Sequence, residues 1–192
     1  MASNVGIVNA ALIKLGEATI TSLSDSSKPA RLANAIFEDI RDAVLQAHPW
    51  NFALARASLA ANATAPTWGY DYAYDLPTAP NYCLKVVGIE SDDIEGVVWK
   101  VEGRQIVTDE GAPLKIVYLK QVTDPNQFSA LFREALAARL AAELAEPLKQ
   151  SGPMAEAMRE LYERKLQEAR FADATEGTPD VVTADEWLNA RQ

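Results

Sequence analysis

Apolar side chains in residues 128–146 recur at spacings of three and four: Phe128, Leu131, Phe132, Ala135, Leu136, Leu140 and Leu144. That period is one face of an amphipathic helix. Asp124 and Pro125 supply a start, because Asp is a good N-cap and a first-turn proline loses no needed N–H. Pro147 is expected to end the helix. Alanines on the remaining faces allow close approach by neighbours, and such a helix needs partners on more than one side to be stable in water. Three further helices are predicted. Residues 4–15 place Val5, Val8, Leu12 and Leu15 together, with Asn4 as cap and Gly16 at the left-handed position beyond the end. Residues 29–47 carry a stripe of Leu32, Ile36, Phe37, Ile40 and Val44, closed by Pro49. Residues 153–171 follow a Ser-Gly-Pro reversal, so this last helix runs antiparallel to its predecessor. Its apolar side is Met154, Met158, Leu161, Tyr162 and Ala169, and Glu160 and Arg164 have the spacing of a favourable pair.

Between the second and third helices the period changes to two. Trp50, Phe52 and Leu54 alternate with small or polar residues, as do Tyr70, Tyr72, Tyr74 and Leu76. Short β-prone runs follow at residues 84–89, 97–101, 105–108 and 114–119. Glu102-Gly103-Arg104 reads as a hairpin turn with Gly at positive φ. The expected class is therefore α+β: a four-helix bundle (residues 1–49 and 121–172) with an antiparallel β-rich insertion between helices 2 and 3 (residues 50–120). An extended C-terminal arm (residues 173–192) completes it. The arm holds Asp173, Glu176, Asp180, Asp185 and Glu186 with Gly177 and Pro179, yet it ends in Trp187 and Leu188. Aromatic anchors are enriched at interfaces, so this segment either orders on a partner or folds back on its own domain.

Composition narrows the chemistry. A chain of 192 residues suits one domain that needs no disulfide or metal for stability. Its lone cysteine, Cys83, allows no intrachain disulfide and reads as a small residue of a strand. No run approaches the length of a membrane span, and the first residues lack the basic start of a signal peptide. With 18 basic and 27 acidic residues the net charge is −9, which argues against a dedicated nucleic-acid binder and for a surface that repels DNA. No phosphate loop, nucleophile elbow or metal-ligand spacing is present. His48, the one histidine, sits before Pro49 and beside Trp50 and reads as a junction residue. Asp92, Asp93 and Glu95 could form the carboxylate pair of a glycan hydrolase, but in a turn they read as solvated acids. The tyrosine row reads as the packed face of a sheet, with a sugar-stacking platform as the other possibility. No cofactor is expected.

Several stretches carry a resemblance when taken in order. They are VNAALIKLGEATITSL, KPARLANAIFEDIRDAVLQAHPWNFA, YAYDLPTAPNYCLKVVGI, WKVEGRQIVTDEGAPLKIVYLKQVTDP and FREALAARLAAELAEPL. In this order and spacing they resemble the tail tubular protein A, or head-to-tail adaptor, family of tailed bacteriophages, through about Ala174. The resemblance implies structural work without catalysis. Twelve copies would form a ring under the portal, continue the DNA channel into the tail, and receive a nozzle or distal tail protein at the head–tail junction of the virion. Double-stranded DNA would pass through the lumen without sequence-specific binding. Arms reaching up to the portal would use Asp185, Glu186, Trp187 and Leu188, while Tyr70, Tyr72, Tyr74 and Trp99 would serve ring or distal-tail contacts. The competing readings are a virion-associated glycan hydrolase and a small binding module.

Overall fold

The computed structural model describes residues 2–91 and 97–176. It is a mixed α+β structure with four helices and two small antiparallel sheets, the strands lying between the second and third helices in chain order. The helices are α1 (Asn4–Lys14), α2 (Lys28–Gln46), α3 (Ala130–Lys149) and α4 (Gly152–Ala174). Each begins on a serine. The hydroxyls of Ser3, Ser27, Ser129 and Ser151 accept from the backbone N–H groups of Gly6, Ala30, Phe132 and Met154, satisfying donors that a helix start leaves open.

These caps correct three expectations. Asn4 is the first helical residue and not the cap. Asp124 caps a single 3-10 turn at Pro125–Gln127, and α3 starts only after Ser129. Nor does Pro147 stop α3, which runs to Lys149 and ends with Gln150 in the left-handed region at φ 52°. A proline this close to the end removes one N–H from the last turn, and little helix remains beyond it to break. The predicted pairing of Glu160 with Arg164 is not made; on this helix Arg159 pairs with Glu156, and Lys165 with both Glu168 and Glu134 of α3.

α3 packs against α1, α2 and α4. Its buried set includes the expected Phe132, Ala135, Leu136, Leu140 and Leu144, and also Ala137, Ala138, Ala141, Ala142 and Ala145. Partners on several sides explain why the apolar stripe is so broad. The helical core extends to Trp50, Leu119 and Val122, so it includes the ends of the strand section.

The predicted single sheet is two. One has the order β1 (Leu54–Leu59), β6 (Leu114–Lys120), β3 (Cys83–Ile89) and the other β2 (Tyr72–Asp75), β5 (Gln105–Thr108), β4 (Trp99–Glu102). The pleat of β1 divides the first sheet's duties: Leu54 packs on the helical core, and Ala55, Ala57 and Leu59 on a second core. Tyr74 and Ile106 of the other sheet meet Ile116 and Tyr118 of the first in that second core. The two sheets thus face each other, and their outer faces point in opposite directions. Trp50 does not begin a strand as its alternation suggested. Its backbone carbonyl accepts from Ala53 and Leu54, closing a 3-10 turn over Asn51–Ala53, because its indole is drawn into the helical core.

Arg104 ties the two sheets together. It follows Gly103, whose φ of 59° closes the β4–β5 hairpin as expected. Its guanidinium donates to the carbonyls of Cys83 (2.8 Å) and Pro77 (3.0 Å) and lies 4.1 Å from the Tyr82 ring centroid. Arg104→Ala is expected to lose about 1 kcal/mol, since the group is largely in water. Hydrogen exchange should show the loss in β2, β4 and β5 with α1–α4 unaffected. Arg104→Lys should recover little, because an ammonium cannot reproduce the planar fork.

A carboxylate closes the loop between α1 and α2. Asp25 accepts from the N–H groups of Ser22 and Thr21, and these hydrogen bonds hold its pKa below the ordinary 3.8. A lowered folded-state pKa gives stability that is present above the ordinary value and is lost as pH falls through the folded one. Melting curves of Asp25→Ala should therefore lie below the parent at neutral pH and converge with it as the pH falls through the lowered folded-state pKa.

Candidate interaction surfaces

The tyrosine segment separates into inside and outside. Tyr74 is fully buried, and its hydroxyl donates to the Glu110 carbonyl at 2.7 Å. Burial pushes its pKa up. Tyr74 is therefore core and offers no surface to a partner, contrary to its assignment as an interface residue. Tyr72, two residues away on the same strand, is 38% exposed, with its ring 6.4 Å from that of Tyr74. Tyr70 lies before β2 and is half-buried. Trp99 is also half-buried and packs against the second core. Of the four, Tyr70, Tyr72 and part of Trp99 can meet another molecule.

The largest exposed side chain was not singled out from the sequence. Trp68 is 86% exposed. It stands on the loop before β2, where Gly69 takes a φ of 91° that other residues rarely adopt. The indole borders a groove of about 700 Å3 whose floor is Ala73 and Val107 and whose far side is Lys100, Glu102 and Gln105. In register Ala73 lies opposite Val107, and Val107 opposite Lys100, so this groove occupies the outward face of β2–β5–β4. The available signal was its place two residues before Tyr70, at the head of the same period-two row, which the sequence reading began only at Tyr70.

The outward face of the other sheet carries a second depression of about 570 Å3. Arg56 lies opposite Val117, and Val117 opposite Gly88, while Ser58 lies opposite Lys115. Gly88 adds no side chain to its row. Lys115 and Glu90 pair at its edge at 2.9 Å.

Two more apolar side chains stand in solvent at the helices: Ile13 of α1 (64% exposed) and Phe171 of α4 (75%). Ile13 shares a face of α1 with Gly6 and Ala10, which line a shallow cleft with Ala130 and Ala137 of α3. Near Phe171, the end of α4 is fastened to the α2–β1 junction. Asp173 accepts from the backbone N–H of Asn51 and lies 3.2 Å from His48 Nε2, and its own carbonyl accepts from the Asn51 side chain at 2.7 Å. Arg170 donates to the Ala47 carbonyl. His48 is thus the locally bonded junction residue that the sequence suggested, stacked edge-on against Trp50 at 4.8 Å. Asp173 and Ala174, assigned to the extended arm, complete α4 instead, because Asp173 is bonded from both sides of the junction.

Cys83 is fully buried at the start of β3, and desolvation raises its thiol pKa. It behaves as a small apolar residue. Asp92, Asp93 and Glu95 lie outside the described residues, as do Asp185, Glu186, Trp187 and Leu188. Among the described residues no group of three or more His, Cys, Asp or Glu side chains could hold a metal ion, and no helix is long and apolar enough to cross a membrane. No protein-family model matches the chain, and comparison with curated proteins finds none similar to it.

Proposed function

We propose that this chain is a structural connector of a tailed bacteriophage, a head-to-tail adaptor that forms a ring beneath the portal and continues the DNA channel into the tail. The observation that carries the reading is the placing of its exposed apolar side chains. Trp68, Val98 and Val101 on the strand section, and Ile13 and Phe171 on the helices, stand in solvent at separate places on the body. Single apolar side chains in water are ordinary on a protein surface, but a ring subunit has neighbours beside, above and below it that can cover all of these. The ordered resemblance to head-to-tail adaptors supports the same reading.

In this reading the helices form a four-helix bundle centred on α3, and the strands form an insertion with its own core. Copies of the chain surround a lumen through which double-stranded DNA passes. A net charge of −9 per copy suits a conduit along which DNA slides without sticking. The portal meets the arm through Trp187 and Leu188 with Asp185 and Glu186, and the nozzle or distal tail protein docks at the opposite end.

Two experiments test this. Purified protein added to DNA-filled heads that lack it should co-sediment with them at a fixed stoichiometry; absence of binding at every concentration tried would refute the connector reading. Deleting residues 185–192 should weaken portal docking by at least about tenfold, the effect of losing an aromatic anchor. Unchanged docking of the truncated chain would remove the arm from the portal contact.

A further inference from the structure

The strand section has two outward faces, and they differ. One presents an exposed indole, Trp68, with the carboxylate of Glu102 across the groove. The other presents the hollow beside Val117 with the guanidinium of Arg56 at its border. Neither Arg56 nor Glu102 has a side-chain hydrogen bond or an ion pair with any described residue. An exposed cation beside an open depression over Val117, edged by the Lys115–Glu90 pair, and an exposed carboxylate near a protruding indole, are complementary in charge. They lie on opposite sides of one body, so a chain cannot use both on itself.

We propose that neighbouring copies of this chain join by seating Trp68 of one copy in the Arg56–Val117 hollow of the next, with Arg56 stacked on the indole and facing Glu102. This rests on the ring reading above and names the contact that would close the ring. The joint is heterologous: knob and hollow are different surfaces, so each copy offers one of each and the association propagates until rotation closes it. The chemistry suits the positions. A guanidinium over an indole face is the strongest of the cation–aromatic pairings available to a protein. Gly88 leaves the row beside Val117 without a side chain, and a hollow of about 570 Å3 admits an indole together with part of its loop. Gly69 lets the chain turn directly after Trp68, which brings the ring forward from the sheet.

Two variants decide the matter because each spoils one half of the joint. Trp68→Ala keeps the hollow but loses the knob, and Arg56→Glu keeps the knob but spoils the hollow. Both positions are exposed, so circular dichroism should show native folding for each. Wild type is assembled with its portal and by itself at rising concentration, with mass photometry as the readout. The wild-type chain should form rings, and each variant alone should need at least about thirtyfold more protein to assemble, as for a central aromatic hot spot. An equimolar mixture of the variants should give pairs, one copy of each, that do not grow further. If Trp68→Ala forms rings as readily as wild type, the proposed joint is wrong while the ring reading stands. Rings from that variant that have lost only the distal tail protein would assign Trp68 to that partner and equally overturn the joint. If wild type forms neither rings nor pairs, with or without portal, the ring reading fails and the joint with it.

Discussion

Trp50→Ala is expected to lower the unfolding free energy by about 3–5 kcal/mol, the largest effect of any single substitution considered for this chain. Trp50 is fully buried between the helices and the strand section. Its indole N–H donates to the Val44 carbonyl at 3.1 Å, and its ring meets Phe132 of α3 at 5.1 Å, Phe52 at 6.1 Å and His48 at 4.8 Å. Truncation to alanine removes the contacts of a large aromatic and leaves a cavity that α3, packed against three other helices, cannot close. Trp50→Phe should cost about 1–2 kcal/mol, because the apolar bulk is mostly kept and one buried hydrogen bond is lost. Urea unfolding followed by circular dichroism measures both. A loss below about 1 kcal/mol for Trp50→Ala would mean that this junction does not hold the two cores together. The consequence for assembly is direct: surfaces on the strand section can be placed relative to the helices only while this joint is intact.

Asp173→Ala should have the second largest effect, about 2–3 kcal/mol. Only 7% of Asp173 is exposed. Both carboxylate oxygens lie within reach of the Asn51 N–H, at 3.1 and 3.2 Å, and the His48 ring is at 3.2 Å. Removing the acceptor leaves the Asn51 N–H without a partner in a half-buried site, which costs more than the bond itself contributed. Asp173→Asn retains an acceptor oxygen and should recover about half of the loss. Hydrogen exchange distinguishes this local effect from general weakening: amides in the last turn of α4 and at Asn51 should open first in Asp173→Ala, with β2–β5–β4 unchanged. Uniform acceleration through the chain would contradict the fastening role.

The helices were legible because their information is local. A stripe at spacings of three and four named Phe37, Ile40 and Val44 of α2 and Phe132, Ala135, Leu136, Leu140 and Leu144 of α3, but missed Leu45 and the alanines buried on the other faces; loop chemistry located Gly16 and the Gly103 hairpin. Starts and stops were less legible. Serine caps at Ser3, Ser27, Ser129 and Ser151 compete in the sequence with Asn4, Asp124 and the prolines, and the choice among them depends on where tertiary packing lets the first turn form. The alternation of Trp50, Phe52 and Leu54 resembled one strand, yet only Leu54 begins β1, while Trp50 and Phe52 pack into an aromatic cluster around Phe132. Division into two sheets was not readable, since strand pairing is set by long-range contacts such as that of Leu54 with Leu119.

The interaction surfaces were legible only in part. Within the tyrosine row, burial selects Tyr74 for the core and leaves Tyr72 partly exposed, a choice made by the opposing sheet. Trp68 stands two residues before Tyr70 and Arg56 two residues after Leu54, each in line with a period-two row, but alternation alone does not mark either as exposed. Their significance appears only when the two sheets are seen to face each other, leaving an indole on one outer face and, on the other, a guanidinium with no ion pair among the described residues. Asp173 was assigned to the extended C-terminal arm because the residue that fixes it, Asn51, lies far away in the chain.

The central proposal, that this chain forms a portal-bound ring, is tested most directly by mixing it with a purified phage portal protein from the same source and determining the mass and symmetry of the product by electron microscopy. The account predicts a twelvefold ring stacked coaxially on the portal, with the strand sections of adjacent copies in contact. A well-folded monomer that leaves the portal bare at every concentration would contradict it.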